Sequence, residues 1–199
     1  MRELSLLETR VLGTLYEKQH TVPDSYPLTL NALVSGCNQK TSRSPVMEVS
    51  EAEAQGALDS LKGANLVMET SGGRVSRYSH NLERVLQVPS QSAAILTVLM
   101  LRGPQTPGEL RINCERLHKF ADISALDAFL QELAVRSLVV QLARQPGARE
   151  ARWAHLLSGT PPVDEAPPAA AVSELAALKA VVAALKELVE RIARHVGIT

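Results

Sequence analysis

Apolar residues recur along this chain first at helical and then at strand spacing, and the order of these runs occurs twice. Leu4, Leu7, Val11, Leu12 and Leu15 share one helical face. Pro23 and Pro27 prevent that helix from continuing. Thr29 then caps a short second helix ending near Gly36. A polar run, Asn38 to Ser44, follows and is closed by Pro45. Ser50, with Glu53 three positions later, forms a capping-box pattern. The third helix it opens buries Ala54, Ala57, Leu58 and Leu61. Two β-prone runs, Leu66 to Thr70 and Arg74 to Tyr78, flank Gly72-Gly73 and predict a hairpin.

The second copy repeats this order. A helix spans about Ser90 to Arg102 and stops at Gly103-Pro104. Thr106 and Pro107 start the next. Asp122 caps a third, expected to bury Ile123, Leu126, Phe129, Leu130 and Leu133. A hairpin joins Leu138–Ala143 to Glu150–Leu157 through Gln145-Pro146-Gly147. Residue identities repeat too. Arg77-Tyr78-Ser79-His80-Asn81-Leu82 matches Arg152-Trp153-Ala154-His155-Leu156-Leu157. Thr29 to Cys37 matches Thr106 to Cys114. The spacing between matches changes only at loops, as expected of a duplicated unit.

Helix, helix, turn, helix, hairpin is the winged helix-turn-helix order. The expected fold is therefore mainly α with small β-hairpin wings (α+β). It comprises two tandem winged helix-turn-helix domains, at residues 1–86 and 87–159. Residues 160–172 are a Pro/Ala-rich linker. Residues 173–197 form an amphipathic, coiled-coil-like helix whose seam is Leu175, Leu178, Val182, Leu185, Val189, Ile192 and Val196. Three heptads are marginal alone, so this helix needs a partner: another copy, most simply as a homo-dimer, or the winged domains.

Composition narrows the function. Lys+Arg and Asp+Glu are 21 each, so the whole chain has no net charge to draw nucleic acid. Residues 87–159 carry a net +2 and residues 1–86 a net −1, which makes the second copy the better DNA candidate. The N-terminus is interrupted by Arg2, Glu3, Glu8 and Arg10 and is not a signal peptide. No run is long enough to span a bilayer. Cys37 and Cys114 lack metal-site spacing. A cytoplasmic protein with reduced thiols and no metal or cofactor is expected. No GxSxG, P-loop, GxGxxG or HExxH occurs, so catalysis has no sequence support and no catalytic residue is assigned.

The run Tyr26-Pro27-Leu28-Thr29-Leu30-Asn31-Ala32-Leu33, then Cys37-Asn38-Gln39-Lys40-Thr41-Ser42-Arg43 and Pro45-Val46-Met47, resembles the YceH-like family. These are uncharacterised bacterial proteins with two tandem winged helices. The resemblance covers about residues 1–159. It implies the fold and no activity.

Two roles fit the polar run. In one, Lys40 and Arg43 reach phosphates and Asn38 or Gln39 a base edge, with Thr41 beside them. In the other, the amides and hydroxyls bond the local backbone. Wing arginines Arg74, Arg77, Arg149 and Arg152 carry the same ambiguity between DNA contact and a wet hairpin face. The third helices expose Glu51, Glu53 and Asp59 in one copy and Asp127 and Glu132 in the other, which repel phosphates. His80 and His155 occupy matching places and are expected to be satisfied structural side chains. Two functions follow. One is a non-catalytic regulator that binds double-stranded DNA or associates with the chromosome. The other is a protein-interaction scaffold without direct DNA binding.

Overall fold

The computed structural model describes residues 2–73, 75–145, 147–160 and residue 186. The C-terminal seam, Leu175 to Val196, the linker beyond Thr160, and Arg74 lie outside the described residues.

The architecture is mixed α+β and mainly helical. Helix α1 spans Leu6–Thr21, and a single 3-10 turn follows at Pro23–Ser25. Strand β1 (Leu28–Thr29), α2 (Leu30–Cys37), α3 (Glu51–Gly63), β2 (Val67–Thr70) and β3 (Arg77–His80) complete the first half. A short connecting helix, α4 (Leu82–Leu86), leads to α5 (Ser90–Arg102), α6 (Pro107–Cys114), α7 (Ile123–Val135), β4 (Val139–Gln141) and β5 (Trp153–His155). No described helix is long and apolar enough to cross a membrane.

Local chemistry sets the helix starts. Ser5 with Glu8, Ser50 with Glu53, and Thr106 with Glu109 each form a reciprocal capping box. Thr29 and Asp122 cap α2 and α7 through single side-chain bonds. Ile123, expected in the core, is 45% exposed instead. It is the first residue of α7, one turn before the helix meets its neighbours at Leu126.

Several bonds recur at matching places in the two halves. Asn65 (φ 59°) and Ser137 (φ 54°) both take the left-handed conformation after the third helix. Leu66 N–H then donates back to Leu61 (3.0 Å), and Leu138 N–H to Leu133 (2.9 Å). In the first half a three-stranded antiparallel sheet has the order β1-β3-β2, with Leu28 opposite Tyr78. In the second, β4 pairs with β5, and an isolated bridge from Gln105 to Trp153 stands where β1 stands in the first. Arg77 Nη1 donates to the Pro27 carbonyl (2.8 Å), and Arg152 Nη1 to that of Pro104 (3.0 Å).

The buried apolar side chains of both halves form one continuous cluster, from Leu4 to Leu157. Met1–Arg144 with Ala148–Pro161 make one compact unit. The join is α1 against α5. A Cβ on Gly13 would stand 3.1 Å from Leu101 Cδ2, so the helices approach closely because that position is glycine. Tyr16 is fully buried and donates its hydroxyl to the Ser90 carbonyl at 3.2 Å. Its phenol pKa is pushed up, first by burial and then by Glu83. Residue 86/87 therefore divides two repeats of one element order, and no boundary between cores falls there.

Candidate nucleic-acid interface

The polar turn after α2 is the first place to seek a binding surface. Asn38, at the C-terminal end of α2, closes it from inside. Its Nδ2 donates to the Val49 carbonyl (2.8 Å), and Val49 N–H donates to its Oδ1 (2.7 Å). Arg43 was expected to reach a phosphate, but its side chain has no solvent exposure. Its guanidinium holds the Glu17 carboxylate through Nη1 (3.1 Å) and Nη2 (2.5 Å), and donates to the Gly36 carbonyl and to Gln39 Oε1. Burial raises the Glu17 pKa, but the Arg43 bonds outweigh it and hold the carboxyl below its usual range. Both amides and the arginine of this run are thus spent on the fold. Lys40 and Thr41 remain exposed.

The turn also ties the halves together. Ser44 N–H donates to the Leu101 carbonyl (2.8 Å), and Arg102 Nη2 donates to Ser42 Oγ (2.8 Å). Sequence reasoning missed Arg10, which is fully buried on α1 and donates to the carbonyls of Cys37 (3.2 Å) and Pro45 (2.7 Å). An arginine amid an apolar helical face is the signal that marks it.

The wing residues divide. Arg77 and Arg152 are exposed and each donates to a proline carbonyl, and Arg152 also pairs with Glu109 at 3.2 Å. Arg149 is exposed on the second hairpin, as is Arg144. On the first hairpin Lys62 of α3 takes Glu69 (2.6 Å) and Asp59 (2.9 Å).

The matching turn of the second half differs. Arg111, Arg116 and Lys119 are exposed around the end of α6 and the segment leading to α7. None forms a salt bridge among the described residues; Arg111 makes one long bond, to the Ala121 carbonyl (3.4 Å). The third helix of the first half presents Glu51, Glu53 and Asp59 to solvent, whereas on α7 the exposed residues include Ser124, Ala128, Gln131 and Glu132. Three exposed cations without salt bridges among the described residues therefore gather here, with Glu115 and Asp122 exposed in the same segment, whereas the turn between α2 and α3 presents only Lys40.

His80 and His155 are partly buried. Leu82 N–H donates to His80 Nδ1 (3.3 Å), which leaves Nε2 as the donor to Gln19 Oε1. Burial, then the nearby His20, depresses the His80 pKa to about 4. Burial alone takes His155 to about 4, and its Nδ1 is buried without a partner, so it is not the satisfied side chain expected. Cys37 and Cys114 are free thiols at zero exposure, and burial pushes both pKa values up, that of Cys114 to about 12. No group of three or more His, Cys, Asp or Glu stands ready to hold a metal among the described residues.

These features define a helical protein with small antiparallel sheets and an uneven distribution of exposed cations. The chain belongs to the family described as "Protein of unknown function, DUF480", which it matches over residues 4–148. It is similar to the UPF0502 protein of Dechloromonas aromatica, with 67% identity over 165 residues, covering 81% of this chain and 78% of that one. A UPF0502 protein of Burkholderia pseudomallei is 58% identical over 213 residues, covering 100% of this chain and 91% of its own. A third, from Methylibium petroleiphilum, is 63% identical over 176 residues, covering 87% of this chain and 76% of that relative. The resemblance to uncharacterised bacterial proteins thus holds at the level of the family.

Proposed function

We propose that this is a non-catalytic, cytoplasmic, DNA-binding regulatory or chromosome-associated protein, built from two tandem winged helix-turn-helix units. The twofold helix, helix, helix, hairpin order and its repeated bonds support that fold. Its second unit contacts double-stranded DNA. The observation that carries this is the exposure of Arg111 and Lys119 beside the turn between α6 and α7, without salt bridges among the described residues. In a winged helix this turn leads into the helix that enters the major groove, and cations there meet phosphates. Arg144 and Arg149 extend the same charge onto the second wing. The first unit is a brace, since its arginine and amides are used internally. The heptad seam Leu175 to Val196 joins two copies, which doubles the contacts to a duplex.

Fluorescence anisotropy with a labelled random-sequence duplex at low salt tests this proposal. Binding that weakens steeply with salt supports it. No binding by the full-length protein transfers the role to a protein partner. The carboxylates of α3 and the exposed Val135 of α7 (87%) would then be the surface to test first.

A further inference from the structure

A cleft of about 260 Å³ lies where the first-half turn meets α5 and α6. Lys18 of α1, Arg102 of α5, and Arg116 just beyond α6 line it, together with Thr41 and Asn113. Its one lining carboxylate, Glu17, is already held by Arg43 through two bonds, and Lys18 stands 3.5 Å away as a further cation.

Three positive groups thus face one neutralised carboxylate. Arg102 is half-buried, and among the described residues its side chain bonds the Ser42 hydroxyl alone. Burial pushes its pKa down, and the attraction of the Glu17 carboxylate offsets this only in part. The Thr41 hydroxyl adds a donor that suits an oxyanion, and Asn113, whose Nδ2 already donates to Gln105 Oε1 (2.5 Å), has one further amide hydrogen. We propose that this cleft binds a small organic phosphate, whose phosphate group takes Lys18, Arg102 and Arg116. A dianion matches three cations better than a single carboxylate does. The cleft falls just short of the usual range for drug-sized pockets, about 300–1,000 Å³, so it suits a small phosphorylated metabolite rather than a nucleotide. Val98 and Leu117 offer an apolar wall for the rest of the molecule.

Such a ligand bridges the halves, because Lys18 belongs to the first and Arg102 and Arg116 to the second. The cleft draws Arg116 from the exposed group near the end of α6, whereas the proposed DNA contacts are Arg111, Lys119, Arg144 and Arg149. Isothermal titration of the full-length protein, without DNA, is the test. Glycerol 3-phosphate and inorganic phosphate are the probes and glycerol is the control. Saturable binding of glycerol 3-phosphate at one site per chain is expected, with none for glycerol. Arg116→Gln and Lys18→Gln weaken it at least tenfold, while Arg84→Gln, an exposed cation elsewhere, leaves it unchanged. Melting of each variant by circular dichroism verifies that it folds. Absence of saturable binding at millimolar probe overturns the proposal. So does equal affinity in Arg116→Gln, or binding of inorganic phosphate with no gain for the organic ester.

Discussion

Arg43 and Glu17 are bonded twice across 26 residues of chain, at 3.1 and 2.5 Å, with the guanidinium wholly sealed from solvent. This pair converts a turn rich in amides and cations into a structural clasp. Replacing Arg43 by Met leaves the half-buried Glu17 carboxylate without its main partner. The expected loss of stability is up to about 3 kcal/mol, because Glu17 keeps some solvent contact and Lys18 nearby. Lys40→Ala is expected to stay within about 0.5 kcal/mol, as for an exposed side chain. Urea unfolding measures both. Equal midpoints for the two variants would contradict the clasp.

The α1–α5 contact makes one cooperative unit of the two repeats. Residues 1–160 are expected to unfold in a single transition seen alike by far-UV circular dichroism and by Trp153 fluorescence. Gly13→Val forces a branched side chain against Leu101 and should cost roughly 1–3 kcal/mol, as overpacking does. Two separate transitions in the parent protein would show that the halves hold independent cores.

Mild acid should destabilise the fold. His80 and His155 have folded pKa values of about 4, below the unfolded value of about 6.5. Between these limits the unfolded chain binds more protons, so stability falls as pH drops. Each histidine is expected to cost on the order of 1–2 kcal/mol at pH 5 relative to pH 7. Glu8, held at about 2, first by its bond from Arg2, stays ionised in that window. A urea midpoint unchanged between pH 7 and pH 5 would refute buried neutral histidines.

Elements whose signals are local could be read directly from the chain. Ser50 with Glu53, and Thr106 with Pro107, mark helix starts within one turn. The Arg77–Leu82 and Arg152–Leu157 repeats marked matching hairpin ends. Arg43 could not be read this way, because its partner sits on α1 and its neighbour Ser44 bonds Leu101 in the other half of the repeat. The fused core left one local trace, the run Ala93 to Leu101, which is apolar at every position but Thr97 and so belongs to a helix buried on every side. Lys18, Arg102 and Arg116 are unremarkable in sequence; only the fold brings them to one cleft.

Truncation after Gly159 should leave a folded monomer, because the described residues already close one core. The full-length chain is expected to sediment as a dimer through the heptad seam. Two monomers at tens of micromolar would remove the seam from any role in self-association.

The most direct test of the central claim is the salt dependence of duplex binding by full-length protein and two variants. Arg111→Ala with Lys119→Ala should weaken binding on every sequence. It should also reduce the slope of log K against log salt by about 2, since each phosphate contact contributes about 0.9. Lys40→Ala, in the first-half turn, should leave the slope unchanged. A slope that falls with Lys40→Ala and holds with Arg111→Ala and Lys119→Ala would place DNA on the first half and contradict this account.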